Sequence, residues 1–327
     1  MLNKFKHKLV QINRLTIIAF RIFVYNKSER RKQKKKLHSK IASAFTSVQH
    51  RLFNSDTKRT VQMTDFDSNL KEVIVTCYFT LKPDPQLGTL RNSADFKYIQ
   101  PWYDSIMKIG VSGIILHDGL ESAFIERYQN EQVQFRFCEM GNYSIFEERW
   151  LLYHLFLKQL PKLEKVFFTD SNDVYITQHP FSFISDPEAL YVGRDNANRI
   201  KDSGWLKEEC DQFIEESIYP LPLTYSYQWA YNAGLAGGSR NLMYFFTAEM
   251  TKLIFKATSN YHKDMTLLNM VIHENFYPFL SIVNWNQQLV DTKQDSLASH
   301  QKLITGFPFN SGFKDLDLES KALFIHK

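Results

Sequence analysis

Lys165-Val-Phe-Phe-Thr-Asp170-Ser-Asn-Asp173-Val-Tyr-Ile176 is the stretch whose reading decides the fold of this chain. An apolar run of strand character ends in two carboxylates, three positions apart, on a short polar turn, and a second apolar run follows at once. Strands of parallel sheets are buried on both faces and read as continuous apolar runs, and ligands of open α/β sheets sit just beyond their carboxyl ends. Two carboxylates held there make a hard, oxygen-rich site that suits Mg²⁺ or Mn²⁺ carrying a substrate diphosphate. Taken alone, the pair fits an ordinary turn equally well, because Asp and Asn side chains bond to nearby backbone.

Outward from that stretch, strand and helix alternate. Upstream lie a strand over Glu72–Thr80, a Pro/Gly loop from Lys82 to Gly88 and a helix around Phe96–Ile109. A strand over Val111–His117, a helix over Leu120–Tyr128, a strand over Gln132–Cys138 and a helix over Tyr143–Leu160, stopped by Pro161, complete that half. The pattern predicts βαβ units and an α/β fold: a Rossmann-related, mixed but mostly parallel sheet flanked by helices. Downstream the style changes. A short strand over Ala189–Gly193 and a mixed segment over 196–219 lead to the strand and turn Trp229-Ala-Tyr-Asn232-Ala-Gly234-Leu-Ala-Gly237-Gly238. Helices over Arg240–Lys256 and Lys263–Glu274 follow, then short strands and loops to His326.

With 327 residues, 44% hydrophobic and 15% aromatic, the chain holds a sizeable core. The net charge of +5 is concentrated in the first 40 residues, which include Arg30-Arg31-Lys32-Gln33-Lys34-Lys35-Lys36. The chain therefore divides into a basic N-terminal extension, residues 1–65, and a catalytic domain, residues 66–327. Leu15–Tyr25 is the one apolar run in the extension; Arg21 interrupts it, and it falls well short of the about 20 residues that a spanning helix needs. Three readings stand: a helix lying on an anionic membrane surface through residues 1–40, a docking helix followed by a solvated charge run, or, least favoured, a true span. The expected location is cytoplasmic, peripheral at a membrane under the first reading, with Golgi-type anchoring disfavoured. Cys77, Cys138 and Cys210 show no metal-finger spacing and read as buried, reduced thiols. Asn26 and Asn142 match the glycosylation sequon and carry little weight.

Each remaining feature is ambiguous alone. Three glycines behind Asn232 suit close backbone approach to a ligand or a tight turn. Asp264, opening a helix, suits capping. His326, one residue from the chain end, reads first as a surface side chain. Their order is more telling. The run Thr169-Asp170-Ser-Asn-Asp173-Val-Tyr-Ile-Thr-Gln178-His-Pro180-Phe181, then Asn232-Ala-Gly-Leu-Ala-Gly-Gly238, then Asp264-Met-Thr-Leu-Leu-Asn269, with Phe146-Glu147-Glu-Arg149-Trp150 ahead of them, resembles the A-type (GT-A) nucleotide-sugar glycosyltransferases over roughly residues 72–327.

The resemblance implies transfer of a sugar from a nucleotide diphosphate sugar, UDP- or GDP-linked, to a hydroxyl of a glycan or glycolipid acceptor, in surface glycan or polysaccharide synthesis. It implies Mn²⁺ or Mg²⁺ held by Asp173, with Asp170 joining the metal shell or holding the ribose and His326 as a further ligand. Thr76 and Tyr78 would line the nucleotide pocket, Arg149 would neutralise leaving-group charge, and Asn232, Gly237 and Gly238 would shape the sugar site. Asp264 would be the catalytic carboxylate, a nucleophile or ion-pair stabiliser in a retaining enzyme or a general base in an inverting one. This sequence departs from the commonest acidic motif, whose carboxylates stand two apart. The alternatives are a sugar-nucleotide pyrophosphorylase, which wants a glycine-rich basic loop where this chain has Leu81–Gly88, and a non-catalytic adaptor binding membrane or nucleic acid through its basic leader. Nucleic acid is not an expected partner of the enzyme.

Overall fold

Among the described residues, the strand–helix alternation folds into a seven-stranded sheet with helices on both faces. The computed structural model describes residues 59–63, 69–183, 190–217, 226, 228–256, 263–276 and 323–326. In chain order these form β1 (Thr60–Val61), β2 (Glu72–Tyr78), α1 (Phe96–Ile109), β3 (Gly113–His117), α2 (Ser122–Tyr128), β4 (Val133–Glu139) and α3 (Ile145–Gln159). There follow β5 (Lys165–Thr169), β6 (Val174–Ile176), β7 (Tyr191–Arg199), α4 (Gly204–Ser217), β8 (Trp229–Ser239), α5 (Arg240–Ile254), α6 (Asp264–Val271) and β9 (Phe324–His326).

The strand order is β1-β4-β3-β2-β5-β8-β7. β4, β3, β2 and β5 are mutually parallel, whereas β1 and β8 run antiparallel to their neighbours. β7, antiparallel to β8, again points with the parallel set. From β2 the chain moves outward through β3 to β4, and α3 then carries it back to β5 on the other side of β2. The carboxyl ends of β2 and β5 therefore frame a switch point in strand order, where the following loops diverge and a crevice opens.

Strand alternation assigns the two cores. Val73, Val75 and Cys77 pack with Val166, Phe168 and the inward faces of α3 and α5, including Trp150, Leu151, Phe156, Met243 and Phe246. Ile74, Tyr78, Ile115 and Phe167 pack on the other side against Ile99, Trp102 and Ile106 of α1 and Phe124 of α2. All three described cysteines are free and buried; burial pushes the Cys77 thiol up to about 12.

Three expectations change. Residues 229–239 are one continuous strand, where a strand and turn were expected. The reason is Phe167: a Cβ on its register partner Gly237 would stand 2.0 Å from Phe167 Cδ1, so glycine clears space for an aromatic ring. Second, the folded unit takes in residues on the leader side of the expected 65/66 boundary. β1 pairs with β4, and Arg59 is buried in a bidentate pair with Glu148 at 2.7 and 2.9 Å. Third, Lys263–Glu274 divides into α6 and a π-helical turn over Ile272–Phe276. The basic run and Leu15–Tyr25 lie outside the described residues; among those described, no helix is long and apolar enough to cross a membrane.

Candidate active site

At the switch point lies a cavity of about 390 Å³, within the range typical of small-molecule sites. The carboxyl end of β2 contributes Thr76, whose hydroxyl donates to the Thr169 carbonyl at 2.9 Å. Trp102 of α1 donates its indole N–H to Thr169 Oγ1 at 2.8 Å. Two elements thus hold the residue from which the acidic turn springs. The turn is tied on its other side as well: Asp170 N donates to the Gly234 carbonyl at 2.9 Å, and Gly234 N donates to Asn232 Oδ1 at 2.7 Å.

The first turn of α3 supplies the centre of the site. Successive helical residues point about 100° apart, so three consecutive charged side chains reach three different segments. Glu147 Oε1 accepts from the Lys263 backbone N–H at 2.7 Å and steadies the start of α6. Glu148 takes Arg59. Arg149 donates through Nη1 to Asp170, and through Nη2 to Asp264 and to the Ala233 carbonyl, the last at 3.2 Å. One guanidinium therefore joins the acidic turn, β8 and the first residue of α6. Burial opposes the charge on Arg149, but the Asp170 and Asp264 carboxylates outweigh it and push its pKa above the ordinary arginine value. Asp264 is 1% exposed, while the Asp170 side chain keeps 25% exposure at the cavity wall. Asn269 locks α6 to β8, its amide accepting from Tyr231 N at 2.9 Å and donating to Tyr231 O at 2.8 Å.

The titratable lining is acid-rich. Asp84, Asp170, Asp173 and Asp264 stand against Arg91 and Arg149, a formal excess of two negative charges. Trp205 of α4, 49% exposed, and Leu87, 70% exposed, add apolar surface to the lining.

Of the residues singled out from the sequence, Thr76, Arg149, Asp170, Asp173, Asn232 and Asp264 all line this cavity. Tyr78 does not: it is fully buried in the core on the α1 side, and its hydroxyl donates to the carbonyls of Asn92 and, at 3.1 Å, Asp95. Gly237 and Gly238 are also displaced from a ligand-shaping role, because they pair with Phe167 and Val166 deeper in the sheet; Ala233 and Gly234 are the small residues at the cavity. The β6–β9 register sets His326 opposite Val174, the residue after Asp173. Among the described residues no three His, Cys, Asp or Glu side chains form a ready-made metal cage. The donor set nevertheless suits Mg²⁺ or Mn²⁺, since Mg²⁺ sites in particular use one or two carboxylates and take their remaining oxygens from substrate phosphates and water.

Arg91, Tyr98, Asp84 and Trp205 were missed. They come from the loop after β2, from α1 and from the start of α4, segments whose sequences carry no local signal of convergence.

No family model matches the sequence, and no curated protein matches it. Among solved structures, the chain is similar to the galactosyltransferase LgtC in complex with donor and acceptor sugar analogues, at 12% identity over 60% of this chain and 69% of that one, with a TM-score of 0.37. An active-site variant of LgtC gives 10% identity, 61% and 70% coverage and a TM-score of 0.37. The apo form of the glycosyltransferase GlyE of Streptococcus pneumoniae TIGR4 gives 14% identity, covering 79% of this chain and 54% of that one, with a TM-score of 0.41. Likeness at this level carries no statement about activity.

Proposed function

We propose that this chain is a divalent-metal-dependent glycosyltransferase that moves a sugar from a nucleotide diphosphate sugar to a hydroxyl of a glycan or glycolipid acceptor. The observation that carries the reading is Arg149 bridging Asp170 and Asp264 in a cavity at the carboxyl ends of β2 and β5. A carboxylate for the reacting sugar and a carboxylate for the donor's charged end are thereby held in fixed relation by one cation. Such pre-organisation lets charge develop during reaction without rearrangement of the protein.

The charge balance supports a metal. A diphosphate is an anion, and a wall with two excess negative charges repels it unless a cation enters with it. Asp173 and Asp170 would hold that ion, with His326 as a further ligand, and the ion when bound supplies Lewis-acid stabilisation of the departing phosphates. The protein's own groups do the rest. Arg149 offsets charge that collects on the leaving group while orienting Asp264. The Asn232–Gly234 segment presents backbone and amide to sugar hydroxyls, and Trp205 offers an apolar face to a sugar ring. Asp264 acts at the reacting sugar or the acceptor, and product stereochemistry assigns its role: retention makes it a nucleophile or ion-pair stabiliser, inversion a general base.

The pyrophosphorylase reading loses support at Lys82. The one lysine in the loop after β2 is spent on carbonyls, donating to Gly141 O and, at 2.6 Å, Tyr143 O, and so is not presented to a phosphate. The test is turnover of a panel of UDP- and GDP-sugars with Mn²⁺, followed as release of nucleoside diphosphate. Asp264→Asn should lose about 100-fold or more in turnover and still bind the nucleotide. Wild-type turnover in that variant would remove Asp264 from the chemistry.

A further inference from the structure

The loop between β2 and α1 is built around two buried aspartates. Asp118, following β3, accepts from Thr80 N at 2.7 Å and Leu81 N at 3.0 Å and pins the base of the loop. Asp84 closes its tip, accepting from Gln86 N at 2.8 Å and Leu87 N at 3.3 Å, while its backbone pairs with Gly88 and Thr89. The second carboxylate oxygen of Asp84 takes Arg91 Nη2 at 2.5 Å. Burial works against ionisation of Asp84, but the Gln86 N–H and the Arg91 guanidinium outweigh it and hold its carboxyl below the usual range.

Arg91 differs from the other arginines of the site. Arg59 is held by a bidentate carboxylate, and Arg149, whose Nε likewise lacks an acceptor, spends both Nη1 and Nη2 on two carboxylates and a carbonyl. Arg91 has five N–H donors and uses one, on Asp84, leaving Nε buried with no acceptor. Its guanidinium lies 4.6 Å from the Tyr98 ring centroid, and the Tyr98 hydroxyl shares a hydrogen bond with Ser171, between the two acidic-turn aspartates. A cation is thus held one aromatic ring away from Asp170 and Asp173, on the cavity wall, with most of its donors unspent.

We propose that Arg91 is a binding residue for the diphosphate of the donor, and that Asp84 is the positioning residue that aims it. A planar guanidinium presents paired N–H donors that match phosphate oxygens, and the Tyr98 ring beneath fixes its plane. Arg91 and the metal-binding turn then grip the same anion from two sides. The proposal rests on the donor reading above, and the test separates the two.

Calorimetric titrations with Mg²⁺ would use inorganic pyrophosphate, UDP, GDP and the corresponding nucleosides on the full chain and on Arg91→Ala, Arg91→Lys and Asp84→Asn. Arg91→Ala should weaken pyrophosphate and nucleoside diphosphate about tenfold or more and leave nucleoside binding unchanged, with Arg91→Lys between it and wild type. Asp84→Asn should weaken the same ligands by a smaller factor. Should Arg91→Ala fail to fold, Arg91→Lys and Asp84→Asn carry the test. Wild-type pyrophosphate affinity in folded Arg91 variants, or in Asp84→Asn for its positioning role, overturns the assignment. Pyrophosphate binding that is weakened in the Arg91 variants, with no gain in affinity from the nucleoside in any of the chains, supports Arg91 and sinks the nucleotide donor. Binding of neither sinks both.

Discussion

Replacing Arg149 with methionine tests whether the site is held together as described. Arg149 makes three hydrogen bonds, two of them ion pairs, to Asp170, Asp264 and Ala233 O. Removing one partner of a buried pair leaves the other charge uncompensated and costs about 3–5 kcal/mol. Asp264, with its side chain 2% exposed, bears that penalty almost fully, whereas Asp170, 25% exposed, is partly rescued by water. Arg149→Met should therefore lose about 3–5 kcal/mol, on the order of 10 °C in melting temperature for a chain of this size. Asp264→Asn in the Arg149→Met background removes the stranded charge and should recover about half of the loss or more. Denaturant unfolding of wild type, both single variants and the double variant closes the cycle. A single-variant loss below about 1 kcal/mol, or a double variant no better than Arg149→Met, would refute the bridge as an energetic unit.

Two further outcomes concern the scaffold. Gly237→Ala should destabilise by about 1–3 kcal/mol, because its Cβ would meet Phe167 ring atoms at 2.0 to 2.5 Å, and Phe167→Leu should restore part of the loss while nucleotide affinity stays at the wild-type level. Melting and titration of the two variants check it; a stable Gly237→Ala with weakened nucleotide binding would return Gly237 to the ligand site. Acid should also destabilise the fold. Burial lowers His154 from an ordinary 6.5 to about 3 and His117 and His273 to about 4. The folded state keeps all three neutral while the unfolded chain takes up protons, so stability is full above pH 6.5 and declines from there toward pH 4. The slope is on the order of 1.4 kcal/mol per histidine per pH unit, and an unfolding midpoint unchanged between pH 7 and pH 5 would contradict it.

The parts of this structure legible in the sequence are those written in periodicity. The apolar runs at 73–78 and 166–169 gave the central strands, and the strong helix ahead of Pro161 gave α3. The acidic turn was legible because two carboxylates ended a buried strand. The glycines of β8 misled, since glycine demanded by an aromatic ring across the sheet looks the same in sequence as glycine demanded by a ligand. Tyr78 misled because, although it shares a strand face with Thr76, its ring joins the core facing α1 and its hydroxyl is taken by the carbonyls of Asn92 and Asp95. The link from Arg149 to Asp264 spans 115 positions, and that from Asp84 to Arg91 depends on a loop closed by its own backbone; neither pairing leaves a local pattern.

The measurement that reaches the central claim most directly is thermal unfolding of the full chain and of Asp173→Asn with UDP or GDP, in Mn²⁺, Mg²⁺ or chelator. A ligand that binds only the folded state raises the melting temperature by mass action, so no acceptor need be known. The account predicts a rise with one of the two nucleotides that requires the divalent ion and disappears in Asp173→Asn. An equal rise in chelator or in Asp173→Asn would contradict the metal site, and no rise with either nucleotide in the folded wild-type chain would contradict the glycosyltransferase itself.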